Sequence, residues 1–292
     1  MRIIRSARDA KIRVTVLAAA VAVAALVVPA GLANAAHATS SAAQATTSAE
    51  APSATKPSVV LVHGAWADSS SWDAVVRRLQ NDGYTVYVPP NPLLGVSYDS
   101  TYIRDFLDTI PGPIVLVGHS YGGAVITNAA TGDPQVKALV YVNAFAPAQG
   151  QTIGQLVTAY PGSCVLPPAN VITQPYPGAP DGAVDVYVKQ SVFPSCMANG
   201  LPAKEASMLA ATQRPLTSAA LDEASGVPAW QTIPSWAVIG TGDHAIPPAE
   251  LVDMAHQANA HITFIPGAPH LSMVSNPGIV TRVIEAAANA TS

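Results

Sequence analysis

The sequence predicts an α/β fold with a mostly parallel central sheet flanked by helices, and two observations carry this. Short β-branched runs alternate with longer amphipathic ones from Pro57 onward, the alternation of strands with crossover helices. The short runs are largely apolar, as strands covered on both faces must be. In order, strands are expected over residues 58–62, 85–88, 114–117, 136–142, 235–239 and 261–265. Helices are expected over 70–82, 99–110, 121–131, 248–258 and 276–288. Asp99 suits the cap of the second helix, and Pro248 the first turn of the fourth.

Ahead of the first strand, Arg2, Arg5, Arg8, Lys11 and Arg13 precede an apolar run over residues 16–28, which Ala33-Asn34-Ala35 follows. A basic flank, a short apolar stretch and small residues of cleavage type define an export signal over residues 1–35. The run is too short for a spanning helix, so no stable membrane anchor is expected. No Arg-Arg pair precedes it and no cysteine lies near the cleavage site, which argues against a twin-arginine route and a lipid anchor. Residues 36–56 are mostly Ala, Ser and Thr; they bury too little apolar surface to offset their ordering entropy and read as a flexible leader. Residues 57–292 suit a single domain, expected outside the cell.

The net charge of −4 sets no large field. Lys and Arg are scattered apart from Arg77-Arg78, so nucleic acid is excluded as a partner. There is no His-Glu-x-x-His and no cysteine pair at ligand spacing, and Asp243-His244 alone is a weak ligand pair; neither metal nor cofactor is expected.

One stretch breaks the alternation. Residues 146–232 are rich in Pro, Gly, Ser and Ala, with short helical pieces such as 203–211. Set between the strand ending near Asn143 and the strand starting near Ser235, this insertion would lie over the carboxyl ends of the strands as a lid, where open α/β sheets bind ligands. Its two cysteines, Cys164 and Cys196, are expected to close a disulfide in an oxidising compartment. That bond would pin the lid to itself and not to the body.

The strongest chemical signal is Gly118-His119-Ser120-Tyr121-Gly122, a G-x-S-x-G directly after an apolar strand and opening a helix. The pattern sets a serine on a tight strand-to-helix turn, with glycines where the backbone approaches closely. A serine hydroxyl is a poor nucleophile until a base takes its proton, and the base needs a third group to fix its tautomer. Of seven histidines, His270 stands in the loop after the last strand, in Gly267-Ala268-Pro269-His270. The acid has two slots. The first, after the strand preceding the lid, holds Asn143, which carries no charge; the second holds Asp243, in Gly240-Thr241-Gly242-Asp243. Ser120, Asp243 and His270 thus fall in the chain order serine, acid, base. The oxyanion needs two backbone donors: Tyr121, which follows the serine, and one from His63-Gly64-Ala65-Trp66, with Ala65 preferred over Trp66. His63 is given a shape-holding role only. Trp66, Phe145 and Trp230 are candidates to line an apolar substrate pocket.

The segments Val62-His63-Gly64-Ala65-Trp66, Gly118-His119-Ser120-Tyr121-Gly122-Gly123, Thr241-Gly242-Asp243-His244-Ala245-Ile246-Pro247-Pro248 and Gly267-Ala268-Pro269-His270-Leu271 together resemble the α/β-hydrolase superfamily. Within it they are similar to the branch of plant methyl esterases, hydroxynitrile lyases and related bacterial esterases. The lyases carry a threonine after the first histidine and a lysine after the last; here Gly64 and Leu271 stand there, and the means of holding cyanide and the hydroxyl is missing. Dehalogenases and epoxide hydrolases of the superfamily use an aspartate nucleophile, where this chain has Ser120. The resemblance implies a serine esterase acting on small-molecule esters. A lipase or polyester hydrolase, a cofactor-free haloperoxidase-like or C–C bond hydrolase, and a non-catalytic binding protein of the same fold stay open as alternatives.

Overall fold

The computed structural model describes residues 56–291 apart from 167 and 181; the export signal and all of the leader but Lys56 lie outside the described residues. The body begins with β1 (Ser58–Val62), α1 (Asp73–Asn81), β2 (Val86–Tyr87), α2 (Val96–Leu107), β3 (Ile114–His119), α3 (Tyr121–Ala129) and β4 (Val136–Val142). The lid follows with α4 (Ile153–Ala159), β5 (Val171–Gln174), β6 (Asp185–Val188), α5 (Phe193–Cys196), α6 (Ala203–Thr212), β7 (Leu216–Thr217) and α7 (Ala219–Asp222). The body closes with β8 (Ser235–Gly240), α8 (Pro248–Gln257), β9 (His261–Ile265), α9 (Ser272–Ser275) and α10 (Pro277–Ala290).

Six strands form one sheet in the order β2-β1-β3-β4-β8-β9, and every pairing in it is parallel. The apolar runs have their reason in this geometry. Side chains alternate between faces along a strand, so Val60, Leu116, Leu139 and Ala237 enter a core shared with α2, α3 and α8. Val59, Leu61, Val117, Val140 and Val238 enter a second core with α1 and α10 on the opposite face. With both faces covered, the central strands are apolar along most of their length, Lys137 near the start of β4 being exposed.

Two expectations need correction. The second helix starts at Val96, not at Asp99. Gly95, at φ 146°, turns the chain into it. Asp99 instead lies buried inside the first turns, where its carboxylate accepts the Leu94 N–H at 3.1 Å and the Tyr121 hydroxyl at 2.8 Å. The lid also holds more than short helices: β5, β6 and β7 make a separate antiparallel sheet. Val171, Thr173, Val186 and Leu216 turn one face of this small sheet toward the cavity described below, while Ile172, Gln174 and Tyr187 line a surface groove on the other face. No helix of the described residues is long and apolar enough to cross a membrane.

Candidate active site

Ser120 stands between β3 and α3 at φ 52° and ψ −125°, a conformation that L-residues avoid because Cβ crowds the backbone. Its surroundings leave it no alternative. A Cβ at Gly122 would come 2.6 Å from the Val62 carbonyl, and one at Gly64 would come 2.6 Å from Ser120 Cβ itself. The loop after β1 therefore packs directly against the serine turn, and only glycine permits that approach.

His270 lies in the loop after β9 and Asp243 in the loop after β8. Asp243 Oδ2 accepts the His270 Nδ1–H at 2.7 Å, and both residues are buried. The loops meet this closely because Gly242 has no side chain: a Cβ there would lie 2.6 Å from the Gly267 carbonyl. Asp243 Oδ1 accepts the Ala245 and Ile246 N–H groups at 2.8 and 2.9 Å, so its charge is fully supported without a cation. Holding the proton on Nδ1 leaves the lone pair on Nε2, the tautomer a general base requires. That nitrogen is buried and has no hydrogen-bond partner, and His270 and Ser120 line the same cavity.

The two candidate oxyanion donors sit on either side of the serine. Tyr121 opens α3, so its N–H has no carbonyl one turn back within the helix. In the loop after β1, Trp66 N–H already donates to the Arg214 carbonyl at 2.9 Å, which leaves Ala65. The peptide that carries Ala65 N–H also carries the Gly64 carbonyl, and His63 Nδ1–H donates to that carbonyl at 2.9 Å. His63 Nε2 in turn accepts the Asn91 N–H at 3.0 Å. Burial drives the His63 pKa down to about 4, so the ring stays neutral and the donor–acceptor pattern is fixed.

Three supporting residues were not visible as such in the sequence. Asn143, at the vacant acid slot, donates from Nδ2 to Asp243 Oδ2 at 2.8 Å. Ser272 Oγ donates to Asn143 Oδ1 at 2.7 Å and fixes which way that amide faces. His119 Nε2–H donates to the His270 carbonyl at 3.1 Å, its ring 4.7 Å from the His270 ring. Burial, reinforced by His270, holds His119 well below the usual imidazole range. The only sequence signal for Asn143 was its position after β4.

Over these groups lies a cavity of about 280 Å³. Trp66 and Phe145 line it, but Trp230 does not; its indole N–H donates to the Pro147 carbonyl at 3.1 Å and its ring packs on the core. Trp66 ties the lid sheet to the body, because its indole N–H donates to the Val186 carbonyl at 2.8 Å. Among the described residues no charged side chain contributes to the lining. Among the described residues no group of three or more His, Cys, Asp or Glu could hold a metal ion.

A serine, an aspartate and a histidine in that chain order, each just past a parallel strand, match the pattern of the α/β hydrolases. The chain belongs to the alpha/beta hydrolase family, whose model matches residues 59–283. It is 36 % identical over 111 residues to the carbendazim hydrolyzing esterase of Nocardioides sp. (strain SG-4G), covering 34 % of this chain and 46 % of that one. It is 32 % identical over 110 residues to the pyrethroid hydrolase of Sphingobium wenxiniae (strain DSM 21828 / CGMCC 1.7748 / JZ-1), covering 34 % and 39 %. The chain thus spans less than half the length of these two relatives. Polyneuridine aldehyde esterase superposes with a TM-score of 0.68 at 17 % identity, over 80 % of this chain and 99 % of that one, a likeness of fold.

Proposed function

We propose that this protein is an exported serine carboxylic-ester hydrolase that forms an acyl-enzyme on small to medium, uncharged, partly apolar esters. The observation that carries the reading is the 2.7 Å contact of Asp243 with His270, which lines one apolar cavity together with Ser120. Ser120 Oγ attacks the ester carbonyl carbon as its proton passes to His270 Nε2. The Ala65 and Tyr121 N–H groups receive the oxyanion, and His270 returns the proton to the departing alkoxide. Water then attacks the acyl-serine with His270 as base, releasing the acid and restoring Ser120.

The lining supports the substrate class. A substrate carboxylate or ammonium would lose its hydration inside the cavity and meet no counter-charge among the described residues that line it. The names of the two bacterial relatives, one for carbendazim and one for pyrethroids, point to substrates of the same neutral kind. The Cys164–Cys196 disulfide suits an oxidising compartment and so supports export.

The test is a hydrolysis profile over neutral p-nitrophenyl esters of rising chain length, with a hemisuccinate ester for comparison and Ser120→Ala alongside. Neutral esters should be turned over, the anionic one poorly, and the variant should be inert. An organophosphonate should add one adduct, on the peptide containing Ser120. An inactivated protein with Ser120 unlabelled would sink the mechanism, and tight ester binding without turnover would make the protein a binder.

A further inference from the structure

The lid touches the acid loop from two sides, and its one disulfide joins the two contacts. From one side, Cys164 N–H donates to the His244 carbonyl at 2.8 Å and Ser163 Oγ donates to the Ala245 carbonyl at 2.6 Å. From the other, His244 Nδ1–H donates to the Ser195 carbonyl at 2.9 Å, and Asn199 Nδ2 donates to the Gly242 carbonyl at 2.9 Å. The second segment reaches the base loop as well, where Leu271 N–H donates to the Met197 carbonyl at 3.1 Å. Segments 163–164 and 195–199 therefore bracket Gly242 to Ala245 and touch the residue after His270. Cys164 and Cys196 link them with Cα atoms 5.7 Å apart at a sequence separation of 32. Cys196 and Met197 are themselves buried in the core cluster that also holds Val140 of β4 and Val280 of α10. This corrects the expectation that the bond pins the lid only to itself.

We propose that the Cys164–Cys196 disulfide is a positioning device for the triad, holding the acid and base loops in register through the two segments it joins. The inference rests on the serine-esterase reading of the same site. Neither cysteine lines the cavity, so neither touches substrate. Their effect runs through Gly242, His244 and Ala245, whose backbone places Asp243, and through Leu271, which follows His270. Once the bond is broken, the two segments are tethered only by a chain long enough to let them separate, and the hydrogen bonds to the acid loop must hold without a cross-link. A displacement of about 1 Å between base and nucleophile is enough to slow chemistry by orders of magnitude while leaving an apolar cavity able to bind.

The test compares the oxidised protein, the double variant Cys164→Ser/Cys196→Ser, and the folded protein reduced by a dithiol. In that reduction the S–S bond takes up two electrons and two protons to give two thiols, and the dithiol leaves as its cyclic disulfide. On a neutral p-nitrophenyl ester well below the melting temperature, kcat should fall about ten-fold with KM within about two-fold. Asn199→Ala, which keeps the disulfide, should reproduce part of that fall; Tyr176→Phe, a lid change away from both loops, should not. In a His270→Ala background, removing the cysteines should cost no further residual activity, whereas a general loosening of the fold would lower both backgrounds alike. Hydrogen exchange should rise on reduction in peptides spanning 240–246 and 267–271. Unchanged kcat together with unchanged exchange in those peptides would overturn the positioning role while the esterase reading stands. If the double variant does not fold, the reduced protein and Asn199→Ala decide the matter. Failure of the oxidised protein to hydrolyse any ester would overturn the esterase reading, and the positioning role with it.

Discussion

Asn143 Nδ2 donates to Asp243 Oδ2 at 2.8 Å, from the end of the strand where this fold can carry its acid. The alternative acid position is thus occupied by a group that supports Asp243, the proposed acid. An amide suits the place better than a second carboxylate, since two buried like charges on adjoining strand ends cannot both stay ionised. Asn143→Ala should lower kcat by roughly ten-fold to a hundred-fold, the worth of one hydrogen bond to a buried charge. Asn143→Asp should be worse, although it is nearly the same size. Steady-state kinetics with thermal melts on both variants checks the order; equal activity in wild type and Asn143→Asp would contradict it.

His63 predicts an acid-side loss of stability. Its folded pKa, about 4, lies below the ordinary 6.5, so the unfolded chain takes up the proton first. The stability it contributes is complete above 6.5 and drains away as pH falls from there toward 4, by about 3 kcal/mol. His63→Gln should lose that part of the pH dependence. It should also lower kcat, because the Gly64 carbonyl and with it the Ala65 N–H lose their anchor. Melting curves from pH 4 to 8 and kcat at pH 8 separate the two effects.

Asp99 should behave with the opposite sign. Burial raises its pKa to about 6, against the pull of its hydrogen bonds with Leu94 and Tyr121. The folded state therefore favours the protonated acid: the contribution is complete below about 4 and is lost as pH rises through about 6. Asp99→Asn removes the titration while keeping the shape. Measured against this variant, wild type should lose about 3 kcal/mol between pH 4 and pH 8. A difference that does not change with pH would show that the carboxyl is ionised throughout.

How much of this was legible in the sequence depends on the range of the interaction that decides each feature. β1, β3, β4 and β8 announce themselves because burial on both faces keeps their runs largely apolar, with Lys137 of β4 as an exposed exception. Ser120, Asp243 and His270 stand in loops whose glycines are needed for close backbone contact, and those glycines mark them. The lid sheet gave no such sign: β5 and β6 have four residues each, β7 has two, and β6 pairs with β7 across more than twenty intervening residues. Asp99 reads as a cap by local chemistry, yet Gly95 already turns the chain, and a tertiary contact with Tyr121 claims the carboxylate. Trp230 resembles a pocket aromatic by type and place. Its indole instead satisfies Pro147, a pairing that only the folded chain reveals.

That difference between Trp66, Phe145 and Trp230 leads to a test of which surfaces set the substrate. Val186 on β6 lines the cavity, and its carbonyl accepts the Trp66 indole N–H. Val186→Trp keeps that backbone contact while adding bulk to a space of about 280 Å³. Preference should therefore shift toward short acyl chains, with kcat/KM for an octanoate ester falling at least ten-fold more than for an acetate. The reasoning is one of volume: each methylene that can no longer be buried forfeits about 0.8 kcal/mol. Trp230→Phe gives the contrast. It leaves the Pro147 carbonyl without its donor and should lower the melting temperature, but the ratio of rates on the two esters should hold, because no atom of Trp230 borders the cavity. A shift in that ratio for Trp230→Phe as large as for Val186→Trp would mean that the lining extends beyond the residues that frame it here.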